Sequence, residues 1–151
     1  MTDFSNISAE LIRFGHEKPD LVNIADGIRR EVFVNEQGVP YEIEHDEFEP
    51  TSQHYLLYLD GCPMATARWR LTIHGIKLER FAVLEKYRNR VWGTLLLKEV
   101  LKDLLPLKRP LYLHAQVRAM NYYSRMGFLA EGPEFEEAGI MHYKMVMNPC
   151  A

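Results

Sequence analysis

Cysteine is scarce in this chain. Cys62 and Cys150 are the two present, one interior and one beside the end, so neither a disulfide framework nor a cysteine-based zinc site can be assembled. A reducing cytoplasm is the compartment that this usage predicts. Positive charge is not in excess either: 18 Lys+Arg against 21 Asp+Glu give a formal charge of -3, with no general attraction for nucleic acid or for an anionic membrane surface. No apolar run approaches the ~20 residues of a membrane span. The opening stretch MTDFSNISAELIRFGHEKPD holds no apolar core of a signal peptide, which makes the Asn6-Ile7-Ser8 sequon accidental. Among the histidines, His45, His54, His114 and His142 fall into no HxxxH or comparable spacing, and no metal is expected. Repeats, low-complexity tracts and Gly/Ser linkers are absent, so one domain over residues 1–151 is expected. At 151 residues such a domain buries roughly 68–70% of its unfolded surface and needs no staples.

What is present alternates between the two periods of regular structure. A short strand is expected near Glu10–Phe14, followed by a helix that Asp20 can cap and in which Leu21, Ile24, Ile28 and Val32 share a face. HYLLYLDGCPMATARWRLT reads as a hairpin: Asp60-Gly61 can take the positive φ of a tight turn, and Ala65, Ala67, Trp69 and Leu71 alternate after it. IKLERFAVL is the next strand. Gly93, Leu96, Leu97, Val100, Leu101 and Leu104 then form one helical stripe. LYLHAQV alternates with Leu111, Leu113, Ala115 and Val117 on one side, RAMNYYSRM is a short helix that Gly127 can end, and FLAEG and IMHYKMVM close the chain as strands. The order predicts a mixed α/β (α+β) domain with a parallel strand–helix–strand crossover.

The segment YRNRVWGTLLL lies between a strand and that aliphatic helix. A helix start carries unbonded N–H groups and the positive end of the macrodipole, and Arg88 and Arg90 would add charge-assisted hydrogen bonds; a phosphate fits there, although the same arginines could be solvated turn residues. It is neither GxxxxGK[ST] nor GxGxxG, which argues against phosphate-loop and Rossmann nucleotide sites. It resembles the RxxGxG/A loop of the GNAT acetyltransferase superfamily, with Arg88 at the leading basic position and Gly93 at the final glycine. Val91 stands where that loop has its first glycine; with ordinary helical angles it would crowd the ligand rather than strain the turn. REVFVNEQGVPYEIEHDEF, from Arg30 to Phe48, and LHAQVRAMNYYSRMGFLAEGPEFEEAGIMHYKM, from Leu113 to Met145, are similar to the ElaA branch, and the latter contains a YYxxxGF form of FYxxxGF. The resemblance covers about Ile28 to Met147 and implies a GNAT fold, a mixed central sheet whose fourth and fifth strands splay apart between flanking helices.

It also implies an N-acetyltransferase in which a primary amine, on a small molecule, attacks the thioester of acetyl-CoA directly, with no nucleic acid, membrane or metal involved and a homodimer among the options. A non-catalytic acyl-CoA-binding regulatory module is the alternative. Tyr123 aligns with the motif tyrosine and would protonate the leaving thiolate, with Tyr122 in reserve; spacing alone would make both core packing. Glu79, before the loop, would be a base or order a water, or else be a strand-surface charge. Phe81, Ala82 and Val83 would offer backbone groups to the pantetheine amides, and an N–H there, that of Val83, would polarise the thioester carbonyl. Arg88, Asn89, Arg90, Val91, Trp92, Gly93 and Thr94 would cradle the pyrophosphate. Gln116 would bind the pantetheine arm or cap the next helix. Glu36, placed by resemblance beside the acceptor pocket, is the alternative base, and Glu44 and Asp46, from the acidic run EIEHDEFE, would draw in a cationic amine unless that run is a solvated loop.

Overall fold

The structure, a computed structural model, describes residues 8–44, 46, 48–88 and 91–149. Its elements are β1 (Ala9–Phe14), α1 (Pro19–Arg29), α2 (Tyr41–Glu44), β2 (Gln53–Leu59), β3 (Cys62–Thr72), β4 (Gly75–Val83), α3 (Trp92–Leu104), β5 (Leu111–Gln116), α4 (Met120–Arg125), β6 (Leu129–Glu137) and β7 (Ile140–Met147). The strands form one sheet in the order β1-β2-β3-β4-β5-β7-β6. Every neighbouring pair is antiparallel except β4 and β5, which run parallel and flank α3 in sequence, as the crossover required.

Two apolar clusters cover the two faces. Leu96, Leu97, Val100, Leu101 and Leu104 of α3 bury their stripe against Leu57, Ala65, Ala67, Leu78, Leu111 and Leu113, and each fully buried side chain contributes about 1.5–3 kcal/mol. Alanines at 65, 67 and 115 leave room for that helix to lie close. On the other face α1 places Val22, Ala25 and Ile28 against Phe14, Leu56 and Ala82. Leu21 and Ile24 only flank this row. The cap also differs from the expectation: Lys18 is the N-cap with no side-chain hydrogen bond, and Pro19 opens the helix, where its missing N–H costs nothing; Asp20 lies in the first turn. A π-helical turn, Arg30–Glu36, extends α1 and ends beside Gly38 at φ 74. The β2–β3 hairpin turns on Asp60 (φ 48) and Gly61 (φ 82), as its sequence required. Val117, expected on the inner face of β5, is exposed because the strand ends at Gln116 and a 3-10 turn follows. Among the described residues no helix is long and apolar enough to cross a membrane.

Two irregularities open the sheet. β4 and β5 pair only at Ile76↔Leu111 and Lys77↔Tyr112. Gly75, at φ 128, brings the strands together there: a Cβ on it would lie 2.3 Å from the Pro110 carbonyl oxygen, which accepts the Ile76 N–H at 2.9 Å. Beyond Lys77 the two strands diverge, and β5 keeps its full pairing with β7 instead. The second irregularity is a bulge. Thr66 pairs with Ala82 and Arg68 with Glu79, so Arg80 and Phe81 face the single residue Ala67, and Arg80 adopts φ 59, which L residues rarely hold.

Candidate active site

A cleft of about 760 Å³ fills the opening between β4 and β5. β4 supplies Lys77 and Glu79 to Val83, β5 supplies Leu113 to Gln116, and Gly93, Tyr122 and Tyr123 close one side. Phe33 of the π-turn, Gln37 just after it, and Glu137, Ile140 and His142 of the β6–β7 hairpin close the other.

Most of the residues singled out in the sequence meet here. Tyr122, Tyr123, Glu79, Phe81, Ala82, Val83, Arg88, Gly93, Gln116 and Asp46 all line the cleft. Glu36 lines a smaller neighbouring pocket of about 350 Å³, together with Gln37, Gln116 and Arg118. Trp92 is instead buried in the core, Thr94 is hydrogen-bonded to the Tyr122 side chain, and Val91 is exposed with helical angles, φ -77 and ψ -10. Asn89, Arg90 and the side chain of Glu44 lie outside the described residues.

The start of α3 has no side-chain cap. Its first turn holds no acidic residue of its own and carries the positive end of the helix dipole. Gly93 is not demanded by packing, since an added Cβ would meet only Val83 Cγ2 at 3.6 Å; what its bareness preserves is the cleft wall. The Leu84 N–H turns back to Met64 of β3 at 2.9 Å, so by strand alternation the backbone of Val83 faces the open side. The Arg88 Nε donates to the Val83 carbonyl at 2.8 Å, in keeping with that orientation. The rest of the Arg88 guanidinium is held by Glu36, at 2.7 and 2.8 Å, in the forked geometry a phosphate would use.

Behind the cleft lies a buried ionic network. Arg68, almost wholly buried, donates to Glu79 at 3.1 Å, to Asp46 at 2.5 Å and to Glu49 at 3.4 Å; Glu49 also pairs with Arg29. Arg70 reaches Glu79 at 2.9 Å, Lys77 reaches it at 3.4 Å, and Arg80 reaches Asp46 at 3.2 Å. Burial alone would favour protonated Glu79, but Arg68, Lys77, Arg70 and Arg80 outweigh it and hold its pKa below the usual carboxylate range. Asp46 is lowered in the same way, against its own desolvation, chiefly by Arg68. Glu79 is thus an ionised, weakly basic counter-ion, and Asp46 spends its charge on Arg68 and Arg80.

Tyr123 stacks edge-on against Tyr122 (5.1 Å) and Phe128 (6.1 Å). Desolvation, with a smaller push from Tyr122, raises its phenol pKa above the ordinary value, so it stays protonated at neutral pH. Tyr122 is raised by desolvation as well. His114, Glu137 and His142 were not selected from the sequence as site residues. One signal was available for His114: it lies two residues before Gln116 on a strand and so shares its face.

A family model described as an acetyltransferase (GNAT) domain matches residues 13–149. The chain belongs to this GNAT family. Among its relatives, YjcF of Bacillus subtilis (strain 168), described as an uncharacterized N-acetyltransferase, is 36% identical over 123 residues, covering 80% of this chain and 88% of that protein. ElaA of Escherichia coli (strain K12) is 30% identical over 124 residues, covering 78% and 81%. The crystal structure of Escherichia coli ElaA superposes with a TM-score of 0.84 over 92% of this chain and 99% of that one, at 25% identity. An acyl-CoA N-acyltransferase from Pseudomonas aeruginosa does so with 0.82, at 27% identity, over 92% and 99%. The splayed mixed sheet is therefore the GNAT fold, and the ElaA resemblance of the sequence holds.

Proposed function

We propose that this chain is a single-domain, cytoplasmic N-acetyltransferase that moves the acetyl group of acetyl-CoA to a primary amine of a small molecule. The observation that carries this reading is the opening between β4 and β5, with an unpaired strand edge on one side, an uncapped helix start at one end and a protonated tyrosine in the wall. These residues fit an extended thioester carrier. The open edge of Phe81, Ala82 and Val83 would take the pantetheine amides as an added strand does, and Gln116 would flank the same arm. The first turn of α3, with Gly93, would receive the pyrophosphate; Arg88 and Arg90 would supply positive charge, and Asn89 a neutral amide donor. Bound acetyl-CoA supplies the activated acyl group. The Val83 N–H would polarise its carbonyl, a donor of a kind worth about 2.7–4 kcal/mol in acyl transfer. Tyr123 holds the proton that the sulfur needs, and burial keeps that proton in place until sulfur develops charge. Glu79 organises Arg68, Arg70 and Lys77 around the bulge.

Calorimetric titration with acetyl-CoA should show one saturable site. In a thiol-release assay with a panel of primary amines, Tyr123→Phe should lower kcat about 10²-fold with acetyl-CoA affinity within threefold. Full activity in that variant would remove the acid from Tyr123. The engagement of Arg88 by Glu36 favours a second reading, a non-catalytic acyl-CoA-binding module; binding without thiol release across the panel would establish it.

A further inference from the structure

If Glu79 is held ionised by Arg68, Lys77, Arg70 and Arg80 and is a weak base, some other group must accept the proton that an alkylammonium sheds before it can attack. Primary amines have pKa values near ~10.4 and arrive protonated at neutral pH. Lys77 and Tyr112 are the last paired residues of β4 and β5. Two positions further along, on the same side as that pair, Glu79 and His114 line the opening where the strands part. His114 is therefore at the apex of the splay, beside the bulge.

Its ring is oriented on every side. His114 Nδ1 lies 3.2 Å from Glu137 Oε1. An ionised carboxylate only accepts, so Nδ1 carries the proton, and Nε2 of the neutral ring keeps its lone pair. The Phe135 ring and the imidazole meet edge to face, with centroids 4.9 Å apart at 77°, and Tyr112 lies at 6.1 Å along β5. Phe135 also stacks on His142 at 5.8 Å and 20°. His142 Nδ1 donates to the Ile140 carbonyl at 2.7 Å, and its Nε2 is 3.7 Å from Glu137 Oε2, too far for a hydrogen bond. The groups facing Glu137 are thus His114 from β5, His142 from β7 and Lys77 from β4. The hydrogen bond from His114 is the strongest influence on Glu137; burial opposes it, the charge of Lys77 and those of His114 and His142 when protonated reinforce it, and the pKa falls to about 2. Glu137 is ionised in any working buffer. Among the described residues no three His, Cys, Asp or Glu groups are disposed to hold a metal ion.

We propose that His114 is the general base of acetyl transfer, taking a proton from the acceptor's ammonium group, with Glu137 as the residue that fixes its tautomer and supports the imidazolium. This rests on the acetyl-transfer reading above. The ammonium N–H bond breaks and its proton joins His114 Nε2. The freed amine nitrogen forms a bond to the acetyl carbon as the carbon–sulfur bond breaks. The sulfur takes a proton from Tyr123, the new amide sheds the second nitrogen proton to refill Tyr123 through water, and His114 returns its proton to solvent. The balance is ammonium plus thioester giving amide, thiol and one released proton.

The test compares primary alkylamines with hydroxylamine, a nucleophile that is unprotonated at neutral pH and needs no base to become one. His114→Gln should lower alkylamine turnover about 10²–10³-fold, lower hydroxylamine turnover far less, and leave calorimetric acetyl-CoA affinity unchanged. Glu137→Gln, which keeps the shape and loses the charge, should cut alkylamine turnover about tenfold and again spare hydroxylamine; it decides the matter if His114→Gln does not fold. Wild-type alkylamine rates in both variants, or equal losses with both nucleophiles, would overturn the base assignment while leaving acetyl transfer standing. No transfer by the wild-type chain to any amine would overturn the transfer reading itself, and the base with it.

Discussion

Glu36 holds the guanidinium that the turn before α3 would turn toward a phosphate, and the two cannot be satisfied at once. The pair is partly exposed, with side chains 34% and 25% accessible, so its own worth is about 0–1 kcal/mol. Glu36→Gln should therefore strengthen acetyl-CoA binding, by up to about fivefold, in a calorimetric titration. Unchanged binding in that variant would mean that Arg88 serves Glu36 and not the carrier. At this scale the sequence was informative where a residue's neighbours along the chain define its role: Arg88, Gly93 and Tyr123 sit in short motifs, and each lines the cleft. It was uninformative where the partner arrives from a distant strand. Nothing local to His114 points to Glu137, because the contact exists only once β7 pairs with both β5 and β6. Likewise Asp46, read from its acidic run as a lure for cations, is taken up by Arg68 and Arg80, which lie on β3 and β4.

The helix start at α3 separates two consequences of one substitution. Glycine inside a helix costs up to about 1 kcal/mol relative to alanine, and a Cβ at Gly93 would meet only Val83 at an ordinary 3.6 Å. Gly93→Ala should thus leave the fold as stable or slightly more stable in urea denaturation while weakening acetyl-CoA binding, since the added methyl narrows the wall of the cleft. Unchanged affinity would move the carrier away from this turn. Long periodic elements were legible: the α3 stripe and the Asp60-Gly61 hairpin follow from spacing and turn chemistry. The π-turn after α1 and the bulge of β4 were not. Both are departures from a regular period, and Arg80 at φ 59 is a conformation its own sequence disfavours, held by pairing to β3 on either side and by Asp46.

Across the molecule, Arg68 is the hub joining β3, β4 and the segment carrying Asp46 and Glu49. Arg68→Met would leave three carboxylates clustered without their common cation, a loss of about 3–5 kcal/mol readable in urea. The same groups set the response to acid. Asp46, Glu79 and Glu137 have lowered pKa values, so the stability they contribute is fully present above the ordinary carboxylate range of about 4 and is lost as pH falls through their folded values. His54, whose pKa is lowered mainly by burial against the pull of Glu49, adds a contribution present above about 6.5 and lost below it. The urea midpoint should accordingly be flat at high pH, decline gently below about 6.5 and fall steeply below about 4. Removing Arg68 should shrink the steep part, because carboxylates without their cation gain less from ionisation. A midpoint that does not fall as pH drops below about 4 would show that the network is not intact in solution.

By itself the sequence determined the order of the elements, the α3 stripe, the hairpin and the phosphate-seeking turn, since these depend on residues a few positions apart and on backbone periodicity. Tertiary structure alone decided which charges remain available. In low-dielectric surroundings a carboxylate's behaviour is set by the nearest cation in space, and that neighbour removed Glu79 and Asp46 from the free acids while giving Glu137 to His114.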